Sequence, residues 1–422
     1  MIHLRTALCL AMLPLCALRL RADDSGDHPQ APEEIPDFST LDEYTYVPKT
    51  TLNMGFRFIF TGPKTSFWGR GTLPAPEMVS SANVANIART YHDGTVSSDG
   101  RTVSVDDGNG GATSVSVPSD GKTNTWSYVN QSQIGPDGNM NFHVYSATIS
   151  DPTAHNRSGV ANNGVELVAA RDMGSVGKHL TWSITAGFSI TDIRSTVFAN
   201  VAANVTTLTD TYDLYGQMVP AAPYSSPGTI TQTVVNSSGA ALTSSTSTTV
   251  SQSYDTTVLL GNQPINRSTS TVATNNAVTN IYNIEGAYYT FRAGPTLSLP
   301  FWSRFKLSLS AGPALLYAGT SFAVEEYLLP PTGDPVVETI AKSNSHLLIG
   351  YYADLSLQYN LTDTAGFYLS ALYEGAGSYN QSVGSADVTY NEVPQPAGQS
   401  SYSTRINFDN QSGVRAGMTV KF

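Results

Sequence analysis

The sequence predicts an all-β fold: an antiparallel up-and-down barrel whose strands cross a membrane. Three observations carry that expectation. Charged residues make up only 13% of the 422-residue chain, yet hydrophobic residues reach just 40%. A soluble α/β protein carries about 25% charged residues, and a helical membrane protein needs apolar runs of about 18 residues or more. Neither pattern is present. Low charge with modest hydrophobicity is what results when each strand turns one face to lipid and the other to a polar lumen. Second, alternation with a period of two recurs along the chain, the mark of half-buried strands. Third, the chain ends Val414-Arg415-Ala416-Gly417-Met418-Thr419-Val420-Lys421-Phe422, with apolar or small residues on even positions and Arg415, Thr419 and Lys421 on odd ones.

The N-terminus reads as a secretory signal peptide, residues 1–22. His3 and Arg5 give a basic start, Thr6 to Leu18 is a short apolar run, and cleavage after Ala22 exposes Asp23-Asp24. Both cysteines, Cys9 and Cys16, fall inside it, so neither a disulfide framework nor thiolate chemistry is expected in the mature chain. Residues 23–49, acidic and proline-rich, read as an irregular periplasmic lead-in to a barrel spanning 50–422. Formal net charge is −11, which argues against nucleic acid as a partner.

The first spanning strand, about 50–61, sets Leu52, Met54, Phe56, Phe58 and Phe60 on one face with Arg57 on the other. A polar stretch, about 62–163, reads as a large outer loop. Within it, residues 77–91 are compatible with a short helix, 102–117 reads as a β-hairpin, and 126–149 reads as a soluble outer hairpin. Spanning strands resume at 163–172, around Glu166, and at 179–192, where Leu180, Trp182, Ile184, Ala186 and Phe188 alternate with His179 and a row of Thr, Ser and Gly. A second Ser/Thr-rich outer region, 194–280, extends strands above the membrane before looping over.

Strands 284–300 and 304–319 form a hairpin, with Leu299 expected opposite Phe305. Each carries Ala-Gly-Pro (293–295 and 311–313), where proline cannot donate to the ladder. Strands 345–361 and 365–378 follow, with Tyr359 opposite Phe367. After a loop near 380–400, the strand 402–422 keeps even parity on its lipid face from Ile406 and Phe408 to Phe422. The count is eight strands, or ten if the 126–149 hairpin also spans. An even number returns both termini to one side. Slipping the last strand by one residue turns Arg415 to lipid, costing about 2–4 kcal/mol near the midplane.

The closing strand, Val414, Ala416, Met418, Val420 and terminal Phe422, resembles that of bacterial outer-membrane β-barrel proteins. Strand count and tail are similar to the small OmpA/OmpX-type barrels, the likeness covering the strands and not the loops. That resemblance implies a Gram-negative outer-membrane location with both termini periplasmic. It also implies that periplasmic chaperones and the barrel-assembly machinery act on the alternating tail, with outer-membrane lipid as the standing partner.

An eight-stranded bore is only about wide enough for side chains. Arg57, Glu166, His179, Arg292, Lys306, Asp354, Glu374 and Arg415 all have inward parity, and opposite charges among them fill the bore as ion pairs. No catalytic residue, metal ligand or cofactor is assigned. There is no Gly-x-Ser-x-Gly elbow and no His-Glu-x-x-His helix. Asp106-Asp107-Gly108-Asn109 reads as a hairpin tip, with weak calcium binding the sharper alternative. His92-Asp93 and Asp151 with His155 are the polar pairs an outer-rim hydrolase would need. Twenty-two tyrosines, several beside outer loops, suit an adaptable recognition surface. The expected function is a non-enzymatic barrel scaffold displaying outer loops for structural, adhesive or ligand contact. A narrow porin-like channel is the alternative.

Overall fold

A computed structural model describes residues 49–73, 82–106, 112–116, 120–226, 229–235, 247–253, 258–384, 389–390, 393–394 and 400–422. The expected signal peptide, nearly all of the lead-in, residues 77–81 of the suggested helix and the tip at 107–111 lie outside them. Residues from Pro48 to Phe422 form one compact unit.

The strands run β1 (Thr50–Ile59), β2 (Lys64–Leu73), β3 (Arg89–Tyr91), β4 (Gly94–Val96), β5 (Thr102–Asp106), β6 (Ala112–Ser116), β7 (Lys122–Thr123) and β8 (Trp126–Tyr128). Next come β9 (Met140–Arg157), β10 (Asn162–Val176), β11 (Leu180–Tyr212), β12 (Tyr224–Ser226), β13 (Thr229–Val235), β14 (Ser247–Ser253), β15 (Leu260–Gly261) and β16 (Asn266–Phe301). The last group is β17 (Phe305–Leu328), β18 (Val336–Asn360), β19 (Ala365–Gly375), β20 (Ser378–Gly384), β21 (Thr389–Tyr390), β22 (Val393–Pro394), β23 (Ser401–Asn407) and β24 (Gln411–Lys421). Among the described residues no helix is long and apolar enough to cross a membrane.

The main sheet has twelve strands, not eight. The difference has one cause: four strands are broken at a common level. Below the breaks, antiparallel pairing closes a cycle, β1-β10-β11-β16-β17-β18-β19-β24 and back to β1. Above them, β2, β9, β20 and β23 take the places of β1, β10, β19 and β24, in the same order. The breaks are stitched by backbone bonds: Phe60 N–H to Ser412 O (2.8 Å), Gly62 N–H to Val160 O (3.2 Å) and Phe408 N–H to Gly377 O (2.8 Å). β18 and β20 meet through side chains. Gln381 Nε2 donates to Lys342 O at 2.8 Å, and the His346 and Tyr379 rings stack 4.1 Å apart.

The two tiers differ in which face is apolar. Along β17, Leu307, Leu309, Leu315 and Tyr317 are exposed outside the lower tier, while Ser310 is buried inside it. Higher up the same strand, Leu316, Ala318, Phe322, Val324 and Leu328 are buried inside. Ser321, Ala323 and Glu325 occupy the outside. Parity never changes on this strand; only the chemistry of its faces exchanges. An apolar exterior requires hydrocarbon, and a polar exterior over an apolar interior requires water. Tyr289 with Tyr317 and Tyr351 with Tyr373 form ring pairs near the exchange. Phe301, Trp302, Phe305 and Tyr359 cluster at the opposite end. From Phe305 to Tyr317 a strand tilted by about 40° rises roughly 30 Å, close to a bilayer's hydrocarbon thickness.

Several expectations need correction. Phe301, not Leu299, faces Phe305, while Leu299 faces Leu307. Trp302 accepts a left-handed backbone (φ 57°), and the turn shortens by two residues, both on the β16 side. The shift of two keeps every side chain on its expected face. Pairing between β16 and β17 lapses from Arg292↔Ala314 to Thr296↔Ser310, across the facing Ala-Gly-Pro triplets. Tyr359 does face Phe367.

Ile406 and Phe408 do not face lipid; both are 0% exposed inside the upper tier. Asn410, in the left-handed region at φ 59°, interrupts the strand and flips its parity below the break. The supposed outer hairpin at 126–149 is two things. β8 joins a four-stranded sheet, β12-β8-β4-β3, and β9 is a barrel strand. The outer loop near 62–163 therefore contains barrel strands, as does the start of the loop at 380–400, where β20 lies. β5 and β6 pair as the hairpin expected at 102–117. Residues 82–91 contain no helix.

Candidate functional sites

Three polar clusters occupy successive heights. The lowest lies in the membrane tier, where inward parity brings Arg57, Glu166, Arg292, Asp354, Glu374 and Arg415 together, none more than 6% exposed. Arg57 pairs with Glu374 and also donates to Ser189. Glu166 is held from both sides, by Arg415 and by Arg292 Nη2 at 3.2 Å, and it accepts from Tyr368 OH at 3.2 Å. Arg415 bridges on to Asp354, which accepts from Ser370 Oγ at 2.6 Å. Three guanidiniums thus meet three carboxylates and their formal charges cancel. Arg292 and Arg415 also lie over the Tyr352 and Tyr368 rings at 5.2 and 5.9 Å.

Two residues expected in this network are not members. His179 lies exposed in the turn between β10 and β11. A three-residue turn at 177–179 places it before the first paired residue, so strand parity does not apply to it. Lys306 points inward but is only half-buried. It lines a polar cavity of about 60 Å³ on the side of the network nearer the termini, together with Ser298, Ser308 and Gln358. That space holds no more than a few waters. Above the network the bore fills with apolar side chains, including Tyr288, Phe408, Phe322 and Ile406.

The second cluster is inside the upper tier. Phe67 pairs with His155 and Gly69 with Asp151, so three residues of β9, 152–154, bulge out opposite one residue of β2. Pro152, which has no N–H to lose, sits in this bulge. The bulge brings two residues four apart in sequence into contact: His155 Nε2 and Asp151 Oδ1 are 2.8 Å apart. Asp151 also accepts from Tyr282 OH, and the His155 ring stacks on Tyr282 at 6.0 Å. Asn280 Nδ2 donates to Tyr282 OH at 3.0 Å and to Tyr402 OH at 3.4 Å, and Tyr402 OH donates to Glu326. Burial raises both tyrosines above their ordinary range, Glu326 adding to the rise at Tyr402. Burial likewise pushes Glu326 up to about 7, with the facing Glu338 carboxyl on β18 adding to it.

Where Asp151 accepts from Nε2–H, Nδ1 is the ring nitrogen of His155 left free of that contact. His155 is 27% exposed and Asp151 5%. They border a slit in the backbone ladder of the wall, crossed by side chains where Thr65 Oγ1 meets Ser195 Oγ at 2.8 Å and Arg157 Nη1 donates to Thr196 O. β11 pairs with β10 up to Thr191 and with β9 only from Ala202 upward, leaving the span between unladdered.

The third cluster is in the head formed by β3, β4, β8 and β12 over the buried Tyr91, Trp126, Tyr128 and Phe142. His92 and Asp93 are not partners. His92 Nδ1 accepts from the Tyr145 N–H at 2.9 Å, and burial lowers its pKa, so it is neutral. Asp93 instead holds His143 Nδ1 at 2.6 Å and Thr332 Oγ1 at 2.9 Å. His143 is 51 residues after His92, and only the fold brings it to Asp93. Glu326 and Tyr402 were also missed, because the strands carrying them read as a loop or as lipid-facing.

No family model and no curated protein matches this chain. Among solved structures it is similar to the outer membrane protease OmpT from Escherichia coli, at 10% identity and a TM-score of 0.30, covering 88% of this chain and 97% of that one. The expectation that this chain is not an enzyme is overturned by that comparison and is withdrawn. A likeness at this level assigns no activity.

Proposed function

We propose that this protein is a bacterial outer-membrane barrel that acts as a sealed pedestal, lifting a folded head and its loops clear of the lipid for surface contact. The lower tier is an eight-stranded membrane barrel, residues 1–22 are its export signal, and both termini are periplasmic. The observation that carries this reading is the filling of the bore above the small cavity beside Lys306. A charge-compensated plug occupies the membrane tier, and an apolar core occupies the tier above. A pore needs a continuous polar path wider than a dehydrated ion, and the plug interrupts it. The test is conductance in planar bilayers. Folded protein, recognised by heat-modifiable migration, is expected to be silent. Steady ohmic steps would support the porin-like alternative instead.

A second reading is compatible with the pedestal and rests on the Asp151–His155 pair beside the slit. A buried carboxylate that fixes a histidine tautomer is the orienting half of a general base. Among the described residues no Ser or Thr hydroxyl is bonded to His155, so the chemistry is water activation rather than a covalent step. His155→Ala and Asp151→Asn are expected to abolish hydrolysis of an ester or peptide substrate panel while leaving migration unchanged. Turnover retained in both variants would remove this reading.

A further inference from the structure

At the level of the strand breaks three cations line one groove, Lys64 and Arg405 with outward parity and Arg157 at a strand end opposite the inward-facing Thr65. Lys64 opens β2, Arg157 ends β9, and Arg405 lies near the end of β23. These strands are neighbours in the order β9-β2-β23, and Ser66 pairs with Asn156 on one side and Arg405 on the other. All three cationic residues are exposed. With Ser66, Asn156 and Asn407 they line a groove of about 430 Å³ that has no carboxylate in its wall. On a chain of net charge −11 this is a local reversal of sign.

The groove is partly organised. Arg405 Nε and Nη2 donate to Ser378 Oγ at 3.1 and 2.8 Å, and Arg157 Nη1 donates to Thr196 O. Ser66 Oγ donates to Asn156 Oδ1. Among the described residues nothing is bonded to the Lys64 ammonium. The nearby exposed acid Glu285 belongs to another wall, where Arg194 lies 3.9 Å from it. Asp192 receives the Asn163 N–H at 2.9 Å. Neither lines the groove.

Height identifies the ligand. Phe60, an exposed ring just past the end of β1, precedes Lys64 by four residues, a span of at most roughly 13 Å. The headgroup zone above the hydrocarbon is about 5–8 Å deep, so the groove opens in it or just above it, and long cationic side chains can bend back toward it. Phosphate carries the charge and the acceptor oxygens that such a cluster recognises. We infer that the groove binds the phosphate of an anionic lipid headgroup in the outer leaflet. This rests on the outer-membrane reading above, because it needs the broken level to face the outer leaflet.

The test uses full-length protein in phosphatidylcholine nanodiscs, with diphosphorylated lipid A added as probe and retained lipid counted by native mass spectrometry. Wild type is expected to retain lipid A, and Lys64→Gln with Arg405→Gln to weaken retention at least tenfold, while Lys64→Arg preserves it. Lipid A stripped of both phosphates is expected not to be retained, and millimolar inorganic phosphate is expected not to displace the lipid. Equal retention of the dephosphorylated lipid, or no loss in the double variant, would overturn the inference. Full displacement by inorganic phosphate would also overturn it, by assigning the groove to a soluble anion. Insertion into the discs is read separately by size exclusion, so a protein that inserts but keeps no lipid A sinks the groove and leaves the barrel standing.

Discussion

The membrane-tier plug makes a quantitative prediction about Arg57 and Glu374. Both are nearly inaccessible, with side-chain exposures of 0% and 4%, and each is the other's ion-pair partner. Neither has spare satisfaction: among the described residues Arg57 Nε and Glu374 Oε2 have no hydrogen-bond partner. Arg57→Met therefore strands a buried carboxylate, and Glu374→Leu strands a buried guanidinium. Breaking a buried pair from one side costs about 3–5 kcal/mol, whereas replacing both partners by apolar groups is neutral or stabilising by about 1–4 kcal/mol. The double variant is then expected to be at least as stable as wild type, although each single variant is strongly destabilised. The coupling between the two sites is thus expected to be about 6 kcal/mol or more. The assay is reversible urea unfolding in detergent micelles, followed by tryptophan fluorescence. Additive effects, with each single variant costing under about 1 kcal/mol, would show that the pair is hydrated and the plug porous.

Other predictions probe the remaining tiers. Glu326 is raised to about 7 by burial, so the native state holds a proton that the unfolded chain has released. Its contribution to stability is full below about pH 4.5 and is lost as pH climbs to about 7, a change of roughly 3 kcal/mol. Glu326→Gln should flatten that part of the pH–stability curve, and an unchanged curve would contradict the assignment. Asn410 holds a left-handed backbone and receives Tyr373 OH at 2.5 Å. Asn410→Ala should lower the unfolding midpoint by more than Asn410→Gly, since alanine adds about 1–2 kcal/mol of backbone strain; the reverse order would contradict the break geometry. Phe422 N–H donates to Thr50 O at 2.9 Å and its carbonyl accepts from Thr50 N–H at 3.0 Å, closing the ring. Deleting Phe422 should slow folding into bilayers severalfold, read by gel shift; an unchanged rate would remove any role for it in closure.

The lower tier was legible in the sequence because lipid enforces the rule that reading used. Leu307, Leu309 and Leu315 must face hydrocarbon, so their alternation with polar residues is strict. The same logic placed Arg57, Glu166, Asp354 and Arg415 inside. It failed where water replaces lipid. Above the breaks the apolar face turns inward, so Ile406 and Phe408 continued the alternation visually while facing the opposite way. Local irregularities caused the other misses. The bulge at 152–154 disguised β9 as a loop, although it is what joins Asp151 to His155. His143 was not linked to Asp93 because nothing local connects positions fifty apart.

The central claim is that one continuous barrel passes from lipid to water and exchanges the chemistry of its faces at one level. Site-directed spin labelling along β17, with oxygen and a water-soluble nickel chelate as relaxation agents, tests it most directly. Labels at 307, 309, 315 and 317 are expected to respond to oxygen, and those at 321, 323 and 325 to the chelate, with even positions shielded from both. Chelate access at 307–317, or lipid-like oxygen response beyond 321, would contradict the account.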